Sequence, residues 1–204
     1  MNSKIIAVVA IIIILSVAIV TYIHYSTPAA AIQSGPTTVS VDPASIQLQN
    51  AKIGQTIQVN INVTNVHNLW GWELDYLSFN PQVLNLTQVQ EGPFLKTGGS
   101  TFFLSTLNDA SWVQDGILPS TNDAINVNAT THGSGIILTL TFTVLAAGAS
   151  QIMINGANNV YGTSSVILYN NHEIEPIPGV ETGDMQPINC TVTNGQIIID
   201  NIAS

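Results

Sequence analysis

Two stretches of the chain alternate apolar and polar residues with a period of two. Thr56–Val66 reads TIQVNINVTNV, with Ile57, Val59, Ile61 and Val63 on one face and Gln58, Asn60, Asn62 and Thr64 on the other. Ile136–Leu145 reads IILTLTFTVL, setting Leu138, Leu140, Phe142 and Val144 against Thr139, Thr141 and Thr143. Successive side chains of a strand point to opposite faces, so each stretch predicts a half-buried antiparallel strand. Shorter runs follow the same logic at Thr37–Val41, Ser45–Leu48, Val83–Val89, Phe102–Leu107, Trp112–Leu118, Gln151–Ile154, Val166–Tyr169 and Gln196–Ile199. Turn-forming pairs such as Asp42-Pro43, Asn80-Pro81, Asp115-Gly116 and Asn194-Gly195 separate them. About ten short strands with no helical period among them predict an all-β fold, an antiparallel β-sandwich.

The segment Leu69–Phe79 (LWGWELDYLSF) breaks the alternation. Trp70, Trp72, Leu74 and Tyr76 keep one phase, and Leu77 and Phe79 continue in the other. A single strand cannot bury both sets on one face without an extra residue, which predicts a β-bulge near Tyr76-Leu77. Glu73 and Asp75 then point outward.

Before the first strand lies Ile5–Ile23, 19 residues without a charge. As a helix it would be about 28 Å long, close to the hydrocarbon thickness of a bilayer. Lys4 precedes it and the next cation is Lys52, so the positive-inside rule sends everything after it outside the cell. Its length favours a retained signal anchor, although Ala29-Ala30-Ala31 offers a cleavage site for a signal peptide. The expected organisation is therefore an N-terminal hydrophobic helix within residues 1–25, a linker over 26–36, and a sandwich domain over 37–204, at the extracellular side of the membrane.

Composition narrows the function. Charged residues make up only 7% of the chain, and the formal charge is −9. There is no arginine, and the lysines are Lys4, Lys52 and Lys96. Such a surface excludes a nucleic-acid partner, which needs a cationic face. So few ionisable groups also predict folding stability that changes little with pH, as would suit an acidic or hot exterior.

The stretch Asn68–Phe103 carries an aromatic-Gly-Trp opening a strand, Phe79-Asn80-Pro81 with Val83-Leu84, Glu91-Gly92 before Phe94-Leu95, and Gly98-Gly99 before Phe102-Phe103. With Gly133-Ser134-Gly135 leading into the Thr-rich strand, this order and spacing resembles the cohesin domain, especially its archaeal and other non-cellulosomal members. The resemblance implies a nine-stranded jelly roll related to some carbohydrate-binding modules. It also implies binding without catalysis: cohesins dock a dockerin on one flat sheet face, to which the strand matching Trp70–Phe79 contributes. Glu73 and Asp75 are the implied partner-binding residues, and the implied partner is a dockerin-like protein or a cell-surface polysaccharide. The alternative is a structural subunit of a surface filament or coat, assembled by strand exchange through the linker.

Other chemistry is sparse. Sequons at Asn62, Asn85, Asn128 and Asn189 are glycosylation candidates in an exported chain. His24, His67, His132 and His172 lack the spacing of a zinc site, so neither a metal nor a cofactor is expected. Calcium held by Asp115 or Asp123 outside an EF-hand stays open. The acid pairs Glu73/Asp75 and Glu173/Glu175 read as solvated faces rather than glycosidase pairs. Cys190 has no second cysteine to bond. Of the tryptophans, Trp72 is expected in the core, and Trp70 and Trp112 are possible platforms for a sugar.

Overall fold

The structure, a computed structural model, describes residues 35–75, 77–105, 113–118, 129–154, 166–170 and 186–203. The predicted helix over 5–23 lies outside them. Residues 34–204 form a compact unit, and its buried apolar core runs from Val39 to Ile199. The described residues are all-β apart from one 3-10 turn, Leu95–Thr97.

The strands are β1 (Thr38–Asp42), β2 (Ser45–Leu48), β3 (Thr56–Leu74), β4 (Leu84–Glu91), β5 (Thr101–Ser105) and β6 (Val113–Ile117). They continue as β7 (Thr131–Val144), β8 (Gly148–Ile152), β9 (Val166–Asn170), β10 (Gln186–Ile188), β11 (Thr191–Thr193) and β12 (Gly195–Ile199). Ten of these coincide with the expected apolar runs, most with ends shifted by a few residues; β3 instead runs on past Val66 to Leu74 and takes in the start of Leu69–Phe79, which its broken alternation sets apart in the sequence. With the short β10 and β11 the described residues hold twelve strands, more than the nine implied by the resemblance.

The 19-residue β3 organises the larger sheet. Its first half is flanked by β1 and β7, giving the order β11-β1-β3-β7-β4. Its last third is flanked by β9 and β6, giving β10-β9-β3-β6-β5. A second sheet, β2-β12-β8, adds Ile152, Ile197 and Ile199 to the same core. Burying each such side chain contributes roughly 1.5–3 kcal/mol.

How β3 stays in the core for its whole length corrects the sequence reading. The strand ends at Leu74, short of the bulge predicted at Tyr76-Leu77, of which Tyr76 lies outside the described residues, and Ser78 next bridges Met153. The phase is instead adjusted upstream. Asn65 (φ 55°) and Asn68 (φ 56°) adopt the left-handed conformation, and the register against β7 shifts on passing each. Asparagine tolerates this region better than other side chains with a Cβ. The backbone N–H groups of the two residues donate to Ser134 Oγ (3.1 Å) and His132 Nδ1 (3.2 Å). Inward positions then step by three, through Val63, Val66, Leu69 and Trp72, and every one is buried.

Candidate functional site

The outer face of β10-β9-β3-β6-β5 is set by pairing register. In β6, Val113, Asp115 and Ile117 point into the core, so Gln114 and Gly116 point out. Gly116 pairs with Gly71 on one side and Phe102 on the other; Gln114 pairs with Glu73 and Leu104. Across β3, Tyr169 pairs with Gly71 and Ile167 with Glu73. Pro187 of β10 continues the Tyr169 row.

The two glycines make a floor. A methyl group on Gly116 would lie 2.5 Å from the Phe102 ring and 3.4 Å from that of Trp70. One on Gly71 would lie 2.7 Å from the Asp115 carbonyl oxygen. Trp70 is the extra residue at a register shift between β3 and β9, and its ring sits 6.3 Å from that of Phe102, tilted by 56°. Leu104 and Leu118 beside them are 49% and 46% exposed. Rings and exposed leucines on one sheet face form an apolar patch of the kind that marks an interaction surface.

Glu73 and Asp75 stand at one end of this patch, both half-buried. The Tyr169 hydroxyl donates to Glu73 Oε2 at 3.1 Å. Partial burial, then the charge of Glu73 and a hydrogen bond with it, push the Asp75 carboxyl up to about 6. Beneath the patch, Asp115 is 1% exposed, and neither its carboxylate oxygens nor the Trp72 indole Nε1 makes a hydrogen bond of good geometry, so the nearby Gly116 N–H and Trp72 indole offset its burial only weakly. Burial and then the nearby Glu91 charge push Asp115 up to about 7, against smaller opposing effects of the Gly116 backbone, Trp72 and Lys96. Glu91 itself is bonded by Lys96 Nζ at 2.7 Å and by the Thr101 hydroxyl.

Trp72 lies in the core as expected, whereas Trp112, Asp123 and the Glu173/Glu175 pair lie outside the described residues. Of the sequons, Asn85 and Asn189 are exposed and Asn128 lies outside the described residues. Asn62 is half-buried between β1 and β7, and its amide donates to Asp42 Oδ2 at 3.0 Å. Cys190 is a half-buried free thiol, pushed upward by burial. Among the described residues no cluster of three or more His, Cys, Asp or Glu side chains is placed to hold a metal.

Sequence reading missed three features. His67 and His132 lie ring to ring at 6.5 Å, joined by the β3–β7 pairing across 65 positions of chain. Trp70 and Phe102 meet in the same non-local way. Asp115, which falls both in the strand run Trp112–Leu118 and in the turn-forming pair Asp115-Gly116, is a strand residue whose burial in the core no local pattern marks.

An all-β body with an apolar outer sheet face defines a binding module. Its family follows from comparison: the Cohesin domain profile matches residues 43–175, and the chain belongs to that family. Cohesin domains are non-catalytic protein-interaction modules. The fold is similar to the sixth cohesin of scaffoldin B from Acetivibrio cellulolyticus, solved in complex with a Cel5 dockerin mutant (TM-score 0.53, 11% identity, 81% of this chain and 100% of that one). It is also similar to a type II cohesin domain from the cellulosome of the same organism (TM-score 0.52, 16% identity, 80% and 95%). A non-cellulosomal cohesin from the hyperthermophilic archaeon Archaeoglobus fulgidus matches at TM-score 0.49 and 17% identity over 81% and 91%. No curated protein matches the chain.

Proposed function

We propose that this chain is an extracellular docking module, held at the membrane by residues 5–23, that binds a dockerin-like protein through the outer face of β10-β9-β3-β6-β5. The observation that carries the reading is the glycine-floored patch of Trp70, Phe102, Leu104 and Leu118 with Glu73 and Asp75 at its end. Aromatic residues set in a surface with few charges are typical anchors of protein interfaces. The related cohesin from Acetivibrio cellulolyticus was solved with a dockerin bound, which supports a partner of that class here. A polysaccharide is the weaker occupant, because Trp70 and Phe102 are tilted by 56° and do not make one flat stacking platform. In an exported chain, Asn85 and Asn189 are the described sequons best placed to carry a glycan.

The test is affinity capture from the surface fraction of the source organism, with the wild-type chain and a Phe102→Asp variant side by side. A protein held by the wild type and lost from the variant supports the reading. Identical captures from both would overturn it. Intact mass of the mature protein reports retention of residues 5–23 and glycan occupancy together.

A further inference from the structure

We infer that Asp115 and Glu91 form a calcium site where the chain crosses from β4 to β5, and that the Lys96 ammonium is the plug the ion displaces. Three observations lead there, none of them on the docking face. First, Asp115 points into the core at 1% exposure, and neither carboxylate oxygen has a hydrogen bond of good geometry. A carboxylate buried in that state calls for a positive charge or a proton. Second, the register puts another carboxylate on the same side of the sheet. Phe103 pairs with Asp115 and Thr101 with Ile117, so Thr101 shares the inner face of β5 and β6 with Asp115. The Thr101 hydroxyl holds the Glu91 side chain, which is 13% exposed, and the Glu91 charge is near enough to act on Asp115. Third, a cation already reaches this pocket from outside: Lys96 Nζ lies 2.7 Å from Glu91 Oε2, on a side chain that is 52% exposed.

Charge balance selects the ligand. Lys96 offsets one of the two carboxylates, which leaves one negative charge in the core beside Trp72. A divalent ion in place of Lys96 neutralises both, and the displaced ammonium, already half in solvent, returns to water. The donors are all oxygen: the two carboxylates and the Thr101 hydroxyl, with water completing the shell from the Lys96 side. No histidine or cysteine stands among them, which disfavours zinc and copper. Calcium accepts such an irregular, partly hydrated shell, whereas magnesium demands near-octahedral geometry and dehydrates reluctantly. The ionisable groups that face Asp115 among the described residues are Glu91 from β4 and Lys96 from the 3-10 turn; β3 presents Trp72, and β5 presents Phe103. A proton competes with the ion for Asp115, so calcium binding weakens as pH falls below about 7. Bound there, the ion ties β6 to the end of β4 beneath Gly116.

The test is equilibrium dialysis of the chelator-treated full chain, in detergent at about pH 7.5, against radiolabelled calcium, with the urea midpoint read in parallel. The wild type is expected to bind calcium with an affinity of roughly 10⁻⁴–10⁻³ M, the range of extracellular modules. Asp115→Asn and Glu91→Gln should each weaken that binding about tenfold or more, since affinity follows the charge of the ligands. Lys96→Met should tighten it severalfold, a gain that damage to the fold does not produce. In chelator, Asp115→Asn should unfold at a higher urea concentration than the wild type, because a buried charge is gone; added calcium should reverse that order. Absence of calcium from the wild type would overturn the inference. So would binding that Asp115→Asn retains in full, which places the ion elsewhere, or binding that Lys96→Met leaves unchanged or weakens. Magnesium bound as tightly as calcium would overturn the choice of ion.

Discussion

The first half and the last third of β3 turn their inner sides to one core but finish their outer sides in opposite ways. Outside Thr56–Val63, most polar side chains pair with one another: the Thr139 hydroxyl donates to Asn60 Oδ1 at 2.8 Å, Gln58 Nε2 donates to the Thr141 hydroxyl at 3.3 Å, and the Asn62 amide donates to Asp42, with only Asn62 Oδ1 of these groups left without a partner. Outside Leu69–Leu74 lie two glycines, the Trp70 and Phe102 rings, and an acid pair. The first surface is polar and largely paired within itself. The second carries exposed apolar area, which the proposed partner would cover. One strand thus serves as structural backbone at one end and as support for the proposed docking face at the other.

Substitutions in the core should have the largest effects and should already separate the ends. Ile61→Ala under the finished surface and Trp72→Ala under the patch are each expected to lower stability by about 2–5 kcal/mol, measured by urea denaturation. At a temperature where both variants remain folded, only Trp72→Ala should weaken partner capture, because Trp72 lies beneath the proposed docking face. Equal loss of capture in both variants would show that the face depends on global stability rather than on its own support.

The next effect is pH-dependent and reverses the expectation of pH-indifferent stability drawn from composition. Asp115 holds its proton to about pH 7 in the folded chain, against an ordinary value of 3.8. An acid whose folded value is raised stabilises fully below its unfolded value, and that stabilisation is lost as pH rises towards 7. Stability should therefore increase as pH falls from about 7 to about 4, with a slope of up to ~1.4 kcal/mol per pH unit. Asp75 adds a smaller contribution of the same sign below about pH 6. Asp115→Asn should raise stability at pH 8 and flatten most of the curve. A wild-type domain that loses stability between pH 7 and 5 would contradict this assignment.

Smaller again are the two left-handed asparagines that join the halves. Asn65→Ala and Asn68→Ala are expected to cost about 1 kcal/mol each, with the glycine variants near neutral, because only the conformational preference changes. If the alanine variants unfold at the wild-type urea midpoint, the positive-φ joints are not what carries the phase change.

These joints also show where the sequence was legible. Alternation in Thr56–Val63 and Leu138–Val144 exposed both strands, since period two is a local property that burial of one face enforces. The placement of Glu73 opposite Trp72 and Leu74 could be read in the same way. The bulges could not: Asn65 and Asn68 look like any polar strand residues until their φ angles are known, so the phase change was assigned to Tyr76-Leu77, past the end of the strand. The weakened acidity of Asp115 arises from its burial, and the Trp70–Phe102 contact from pairing between β3, β5 and β6; no local spacing encodes either. A lone aspartate before a glycine reads as a turn unless a partner strand is known to cover it.

The smallest expected effect is the sharpest control on the comparison. Gln58→Ala combined with Thr141→Val removes one amide–hydroxyl pair from the finished surface. Both side chains can recover hydrogen bonds from water in the unfolded chain, and Gln58 is exposed in the folded one, so the pair contributes only a few tenths of a kcal/mol to stability. Urea midpoints should be nearly unchanged, and so should partner capture. Loss of capture in this variant would place the docking surface on the β1-β3-β7 face instead of the β9-β3-β6 face. That outcome would turn the comparison round, making the amide-coated half of β3 the functional one and the aromatic half structural.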